Sequence, residues 1–199
     1  MQRVVFDFDI ISPYAYLAFE RLPQALEGVS HHVEYRPLLF AGLLKHWGNT
    51  APVDVAPKKA WLFRQCAWLA ERDGVVFRPP TPHPFNPLAL LRLLVASAPA
   101  GGQPNRRAVE LAMRHVWARD GGDPNDADAL KALTDAIDPL RDPRGDDVKA
   151  ELQARTAAAV AAGVFGVPFG FALIVVVSLL TPRPGAQAMA FVDRVRLPD

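Results

Sequence analysis

Residues 4–23 read VVFDFDIISPYAYLAFERLP, and the junction in the middle of this stretch decides how the chain folds. Val4 to Phe8 has the pattern of a short strand, with Asp7 and Asp9 interrupting the apolar run. Ser12 then offers N-cap chemistry, a hydroxyl that accepts a hydrogen bond from a backbone N–H of the first helical turn. Pro13 suits the first helical position, where its missing N–H is not needed. The helix is predicted to run to about Leu26, with Tyr16, Leu17 and Glu20 at helical spacings. HHVEYRPLL, at 31–39, alternates in character and reads as a second strand. Strand, helix and strand within forty residues make a βαβ unit with a parallel pair.

The next stretch differs in character. GLLKHWGNTAPVDVAP, at 42–57, reads as loop. Pro57 to Asp73 carries Trp61, Leu62, Cys66 and Leu69 at helical spacings, and Gly74 is a natural stop. FRPPTPHPFNP, at 77–87, is proline-dense and extended. LALLRLLVASA, RRAVELAMRHVWARDG, NDADALKALTDAI and DDVKAELQARTAAAVAAG read as further helices. The last of these has acidic residues first, as the helix dipole favours, and Gly163 as its stop. From Gly163 onward the chain returns to β character. FALIVVVSLL, at 171–180, is too short for a membrane helix, which needs about 20 apolar residues, and its β-branched centre reads as a buried strand. The order predicts an α/β fold interrupted by a helical insertion. Residues 1–38 and 163–199 form one discontinuous domain, and 39–162 form the insert.

Composition narrows the function. Half of the 199 residues are hydrophobic, enough for a substantial core. Lys and Arg number 22 against 21 Asp and Glu, with no basic run, which argues against a nucleic-acid partner. The single cysteine, Cys66, allows no internal disulfide and no CxxC pair, so a reducing compartment suits the chain. MQRVVFDFDI lacks the features of a signal peptide, and a cytoplasmic location is expected.

Several residues offer chemistry. Ser12 sits where a strand-to-helix turn aims the positive end of a helix at the space beyond. It reads either as a plain cap or as a hydroxyl that donates to a bound anion. A thiolate held there would have its pKa lowered, as cysteines at helix N-termini do. Val167 and Pro168, within VFGVPFG at 164–170, form a turn whose backbone can face a ligand. Asn49 offers an amide, and Lys58 and Lys59 offer cations, in the 42–59 passage. Cys66, on an apolar helical stripe, reads as core. His31 and His32 read as strand-end surface residues with no metal spacing around them. His46, His83 and His115 lack neighbours that suggest a triad, and Asp7 and Asp9 read as hydrogen-bonded residues rather than a carboxylate pair.

Taken together, FDFDIISPYAYLAFERLP, RPLLFAGLLKHWGNTAPVDVAPKKAW, HPFNPLALLRLL and AGVFGVPF, in this order, resemble the 2-hydroxychromene-2-carboxylate isomerases. That family is related to kappa-class glutathione transferases and to thioredoxin-like disulfide oxidoreductases. The resemblance implies a thioredoxin-like fold with a helical insertion, and glutathione as cofactor. It implies that Ser12, where disulfide-exchanging relatives carry cysteine, bonds the glutathione sulfur. Asn49 and Lys59 would bind glutathione, with Lys58 one residue away as substitute. Val167 and Pro168 would hold its cysteinyl backbone. The implied reaction interconverts 2-hydroxychromene-2-carboxylate and trans-o-hydroxybenzylidenepyruvate, in catabolism of aromatics such as naphthalene. The implied partners are a small aromatic substrate and a second copy of the chain, with no nucleic acid and no membrane. The alternatives are a kappa-type transferase acting on other electrophiles, or a non-catalytic member. After Pro168 the sequence departs from the family. Where a G-Q-D or G-S-D segment would bind the γ-glutamyl end, this chain has GAQAMAFVDRV, with Gln187 near the place of the acidic residue.

Overall fold

The computed structural model describes residues 1–165 of the chain. Val167, Pro168, the 171–180 run read as a strand and the 185–195 segment lie outside them. Strand β1 (Gln2–Phe8) pairs in parallel with β2 (His31–Pro37), in a register that sets Val4 beside Val33 and Phe6 beside Tyr35. Helix α1 (Pro13–Ala25) makes the crossover between them. This is the βαβ unit expected from the first forty residues, and the fold is α/β.

The helices that follow are α2 (Phe40–Trp47), α3 (Ala56–Asp73), α4 (Leu88–Ala96), α5 (Arg106–Trp117), α6 (Ala127–Ile137) and α7 (Asp146–Ala161). Helix α2 corrects the sequence reading, which took 42–57 as loop. Three contacts secure this short helix. Its first N–H, on Phe40, donates to Asp9 Oδ2 at 2.7 Å, and Leu39 N donates to Thr156 Oγ1 at 3.0 Å. Gly42 permits a close approach to α7, since a Cβ there would lie 2.8 Å from Thr156 Cγ2. Helix α3 ends as predicted at Gly74, whose φ of 65° is the left-handed conformation that glycine adopts without steric cost.

The core is continuous from β1 into the helices. Phe8, Ile10, Tyr16 and Phe19 pack with the buried faces of α4 and α5. Helix α4 is almost wholly buried from Leu90 to Ala96, which explains its near-unbroken apolar sequence. Its C-terminal carbonyls are met by one cation. Arg141 donates from Nη2 to Val95 O at 2.7 Å and from Nε to Ala98 O at 3.0 Å. A guanidinium at that helix end complements the dipole as well as the open carbonyls.

Trp117, at the last turn of α5, is fully buried. It stacks with Tyr16 (centroids 6.4 Å apart) and with Phe77 (5.7 Å). Its indole Nε1 donates to Ile10 O at 2.9 Å. The indole thereby joins the helical core to the turn that precedes Ser12. Trp117→Phe is expected to lose about 2–4 kcal/mol, because it leaves a cavity and an unpaired buried carbonyl. Urea unfolding of the two proteins measures this; a loss below about 0.5 kcal/mol, the size of an ordinary surface change, would show that the link carries no weight.

Candidate functional site

The turn from Asp9 to Ser12 is held from all sides. Asp9 is only 3% exposed. Its Oδ1 accepts from Ile11 N at 3.0 Å and its Oδ2 from Phe40 N. Its carbonyl accepts from Ser12 N at 3.1 Å. The Ile10 carbonyl is taken by Trp117, and the Ile11 carbonyl faces His83 Nε2 at 3.1 Å. Every one of these partners is fixed by packed structure, so the turn is a rigid platform for residue 12.

Ser12 is the N-cap of α1. It is extended (φ −89°, ψ 115°) and its Oγ accepts from Ala15 N at 3.3 Å. The cap uses a lone pair of the hydroxyl and leaves its proton able to donate outward. Cap and anion-binding group are therefore compatible in one half-buried side chain.

Lys59 reaches the same region, while Lys58 is exposed. The Lys59 Nζ donates to the carbonyl of His83 at 2.6 Å. The His83 ring turns the other way, to Ile11, so one residue touches both the lysine and the turn of the serine. A carbonyl only accepts, which puts the imidazole proton on Nε2. Phe63 meets this ring edge-on with centroids 5.1 Å apart, and Trp117 lies at 5.6 Å. Burial first, and then the Lys59 cation, hold the His83 pKa below its ordinary value, against the opposing pull of the Ile11 carbonyl. The ring is accordingly neutral at physiological pH.

Asn49 lies in the exposed turn after α2, with its N–H donating to Leu44 O at 2.9 Å. Among the described residues nothing ties its side chain to Ser12 or Lys59. Its loop is anchored elsewhere: Trp47 Nε1 donates to Val164 O at 3.0 Å. Helix α2 thus runs from the Asp9 turn at its start to Val164 at its end, a span of about 12 Å. Val167 and Pro168 lie outside the described residues.

Other candidates resolve simply. Cys66 is buried, and burial pushes its thiol up to about 12, against a weaker opposing effect of the Tyr14 hydroxyl. It is a core residue and no nucleophile at neutral pH. His31 Nδ1 pairs with Val29 O and His115 Nε2 with Pro124 O. No cluster among the described residues fits a metal ion. Asp7 and Asp9 play separate roles, since only Asp9 enters the turn. The residue missed from sequence is His83. Its place among prolines hid it, because no periodicity marks which way such a residue faces.

The fold has known counterparts. The sequence pattern of the DSBA-like thioredoxin domain matches residues 3–183. The chain belongs to the DSBA-like thioredoxin domain family. Glutathione S-transferase kappa 2 of Caenorhabditis elegans is 30% identical over 100 residues, which take in 47% of this chain. The match spans 44% of that relative's length, less than half of it. Two solved structures share the thioredoxin-like fold. A 2-hydroxychromene-2-carboxylate isomerase superposes with a TM-score of 0.69 at 22% identity, covering 84% of this chain and 83% of the isomerase. A protein described as a protein disulfide isomerase of Nitrosomonas europaea gives 0.60 at 14% identity, covering 83% of this chain and 81% of its own.

Asp9 gives the platform a pH signature. Desolvation raises its pKa to about 6, partly offset by the two N–H bonds from Ile11 and Phe40. A carboxyl raised above its unfolded value favours the folded state when protonated. That contribution is complete below about pH 4 and is lost as pH rises through about 6. Stability relative to Asp9→Asn is expected to fall by roughly 3 kcal/mol in total across this window. Denaturant unfolding of both proteins at pH 4 to 7 reads the difference; parallel curves would mean that Asp9 does not titrate in the folded state.

Proposed function

We propose that this protein is a glutathione-dependent isomerase that interconverts 2-hydroxychromene-2-carboxylate and trans-o-hydroxybenzylidenepyruvate. The observation that carries the reading is Ser12. A hydroxyl, not a thiol, caps α1, with a proton to donate and with Lys59 held nearby through His83. The chain's own thiol is buried and protonated, so a thiol acting at this site must come from outside.

The residues present fit glutathione in charge and polarity. Ser12 would donate to its sulfur, Lys59 and the α1 N-terminus would favour its anionic form, and Asn49, Val167 and Pro168 would complete its binding. Bound glutathione supplies a nucleophile whose reversible addition to the conjugated double bond lets that bond rotate. The chain's part is electrostatic. A donor fixed by a rigid turn does not have to reorient when negative charge gathers beside it. The substrate proposed is a small aromatic carboxylate, and the protein is proposed to act in aromatic catabolism as a cytoplasmic homodimer. No helix of the described residues is long and apolar enough to cross a membrane.

A kappa-type glutathione transferase is the second reading, and the similarity to the Caenorhabditis elegans protein favours it. Turnover of the hydroxychromene carboxylate against a chloronitrobenzene separates the two. Absence of glutathione binding at millimolar concentration in calorimetry would leave neither standing. Ser12→Ala is expected to raise the pKa of the bound thiol by about one unit or more. Loss of the cap should cost only about 0.5–2 kcal/mol. A thiolate absorbance titration tests this; an unchanged curve accompanied by a large stability loss would reduce Ser12 to a helix cap.

A further inference from the structure

His83 opens the HPFNPLALLRLL stretch, which gives it no role, yet among the described residues it joins the two charged or polar groups of the site. Its backbone carbonyl accepts from Lys59 Nζ at 2.6 Å, and its ring nitrogen Nε2 meets the carbonyl of Ile11, the residue before Ser12, at 3.1 Å. The ring is clamped by Phe63, Phe85 and Trp117, with centroids 5.1, 6.1 and 5.6 Å away. Trp117 itself donates to Ile10. Two adjacent carbonyls of the serine turn are thus met by two rings that also touch each other. Nδ1 of His83 is buried without a hydrogen-bond partner among the described residues. A buried lone pair of this kind is costly. The ring nitrogen Nε2 offsets that cost by a bond to Ile11 that no apolar side chain can make.

We infer that His83 is the positioning residue of the thiol site: its ring fixes the turn that carries Ser12 while its carbonyl fixes the Lys59 ammonium. The spacing between hydroxyl and cation then follows from one side chain and its own backbone. This rests on the reading of Ser12 as a thiol site. It adds a residue that acts on the sulfur through others and touches neither glutathione nor substrate.

Lysine is a flexible point charge on a four-carbon stem and does not hold a fixed place unless something accepts from it. The 77–87 segment is neither helix nor strand; Arg78 N donates to Trp117 O at 2.7 Å and Thr81 N to Gly122 O at 3.1 Å, Asn86 O accepts from Asn125 Nδ2 at 3.1 Å, and between these ties the His83 ring anchors it to the Ser12 turn. Without the Nε2–H donor, the carbonyl that Lys59 uses would lose the bond that fixes it relative to the Ser12 turn, although the segment stays tied at Arg78, Thr81 and Asn86. The field at residue 12 would weaken although every charge remained.

The test needs no glutathione. Ser12→Cys in the full chain places a thiol at the site, and the pH dependence of its alkylation by iodoacetamide gives its pKa. Cys66 is buried and does not compete. In the His83-bearing protein the introduced thiol is expected below the ordinary value of about 8.5. Added His83→Leu is expected to raise it by about one unit, a tenfold loss of thiolate at lower pH. Added His83→Gln, whose amide reaches as far as Nε2, is expected to retain the low value. If His83→Leu does not fold, His83→Asn, polar but too short to reach Ile11, takes its place with the same expected rise. An unshifted thiol in the His83-bearing protein, no rise with leucine or asparagine, or a rise with glutamine equal to theirs would each overturn the inference. Calorimetry of the unaltered protein with glutathione is read separately. Its failure removes the proposed function and leaves the alkylation result intact.

Discussion

A carboxylate taken out of water must have its oxygens occupied, and the structure is organised around meeting that demand at Asp9. One oxygen receives the N–H of Ile11, two residues on; the other receives the first N–H of α2, from Phe40, far along the chain. A single side chain thereby shapes the turn before Ser12 and seats the helix that follows β2. Were Asp9 replaced by an apolar residue, two part-buried N–H groups would be orphaned in different elements. The burial also lifts the pKa, so the group that fixes the platform is itself sensitive to proton concentration.

The turn then distributes its constraint outward. Trp117 brings α5 to Ile10, and His83 brings the proline-rich segment to Ile11. Phe40 begins α2, whose far end is tied to Val164 through Trp47. Elements separated by up to 107 residues in sequence meet around four consecutive backbone units. Such long-range closure costs loop entropy, and the buried faces of α1, α4 and α5 supply the apolar surface that offsets it.

Much of this was legible in the sequence where the local signal and the tertiary outcome agree. Strand alternation at 31–37, the Ser-Pro opening of α1 and the glycine stop at 74 each state their own geometry. Lys59 was set apart from Lys58 only by resemblance; the fold turns Lys59 inward while Lys58 stays in water. Helix α2 was not legible. It is eight residues long, contains Gly42, and is followed by Gly48 and Asn49, so propensity alone speaks against it. What stabilises it comes from Asp9 and Thr156, neither of which is near it in sequence. His83 was hidden for a related reason. Between two prolines there is no helical or strand period from which its facing could be read, and its partners lie 24 and 72 residues away. An aromatic series flanking it, Phe77 and Phe85, was the available hint of a buried stretch.

The hydrogen bonds that define residues 9–12 come from main-chain atoms, from the side chain of Asp9 and from the rings of Trp117 and His83; the Ser12 side chain adds only the 3.3 Å bond to Ala15. The frame is therefore nearly indifferent to the side chain it displays at position 12. An exchange of one atom there, oxygen for sulfur, would alter what the protein does to a bound molecule without disturbing how the turn is built. Architecture and reactivity are separable at this point, and a lineage using such a turn can change its chemistry by one codon while keeping its core.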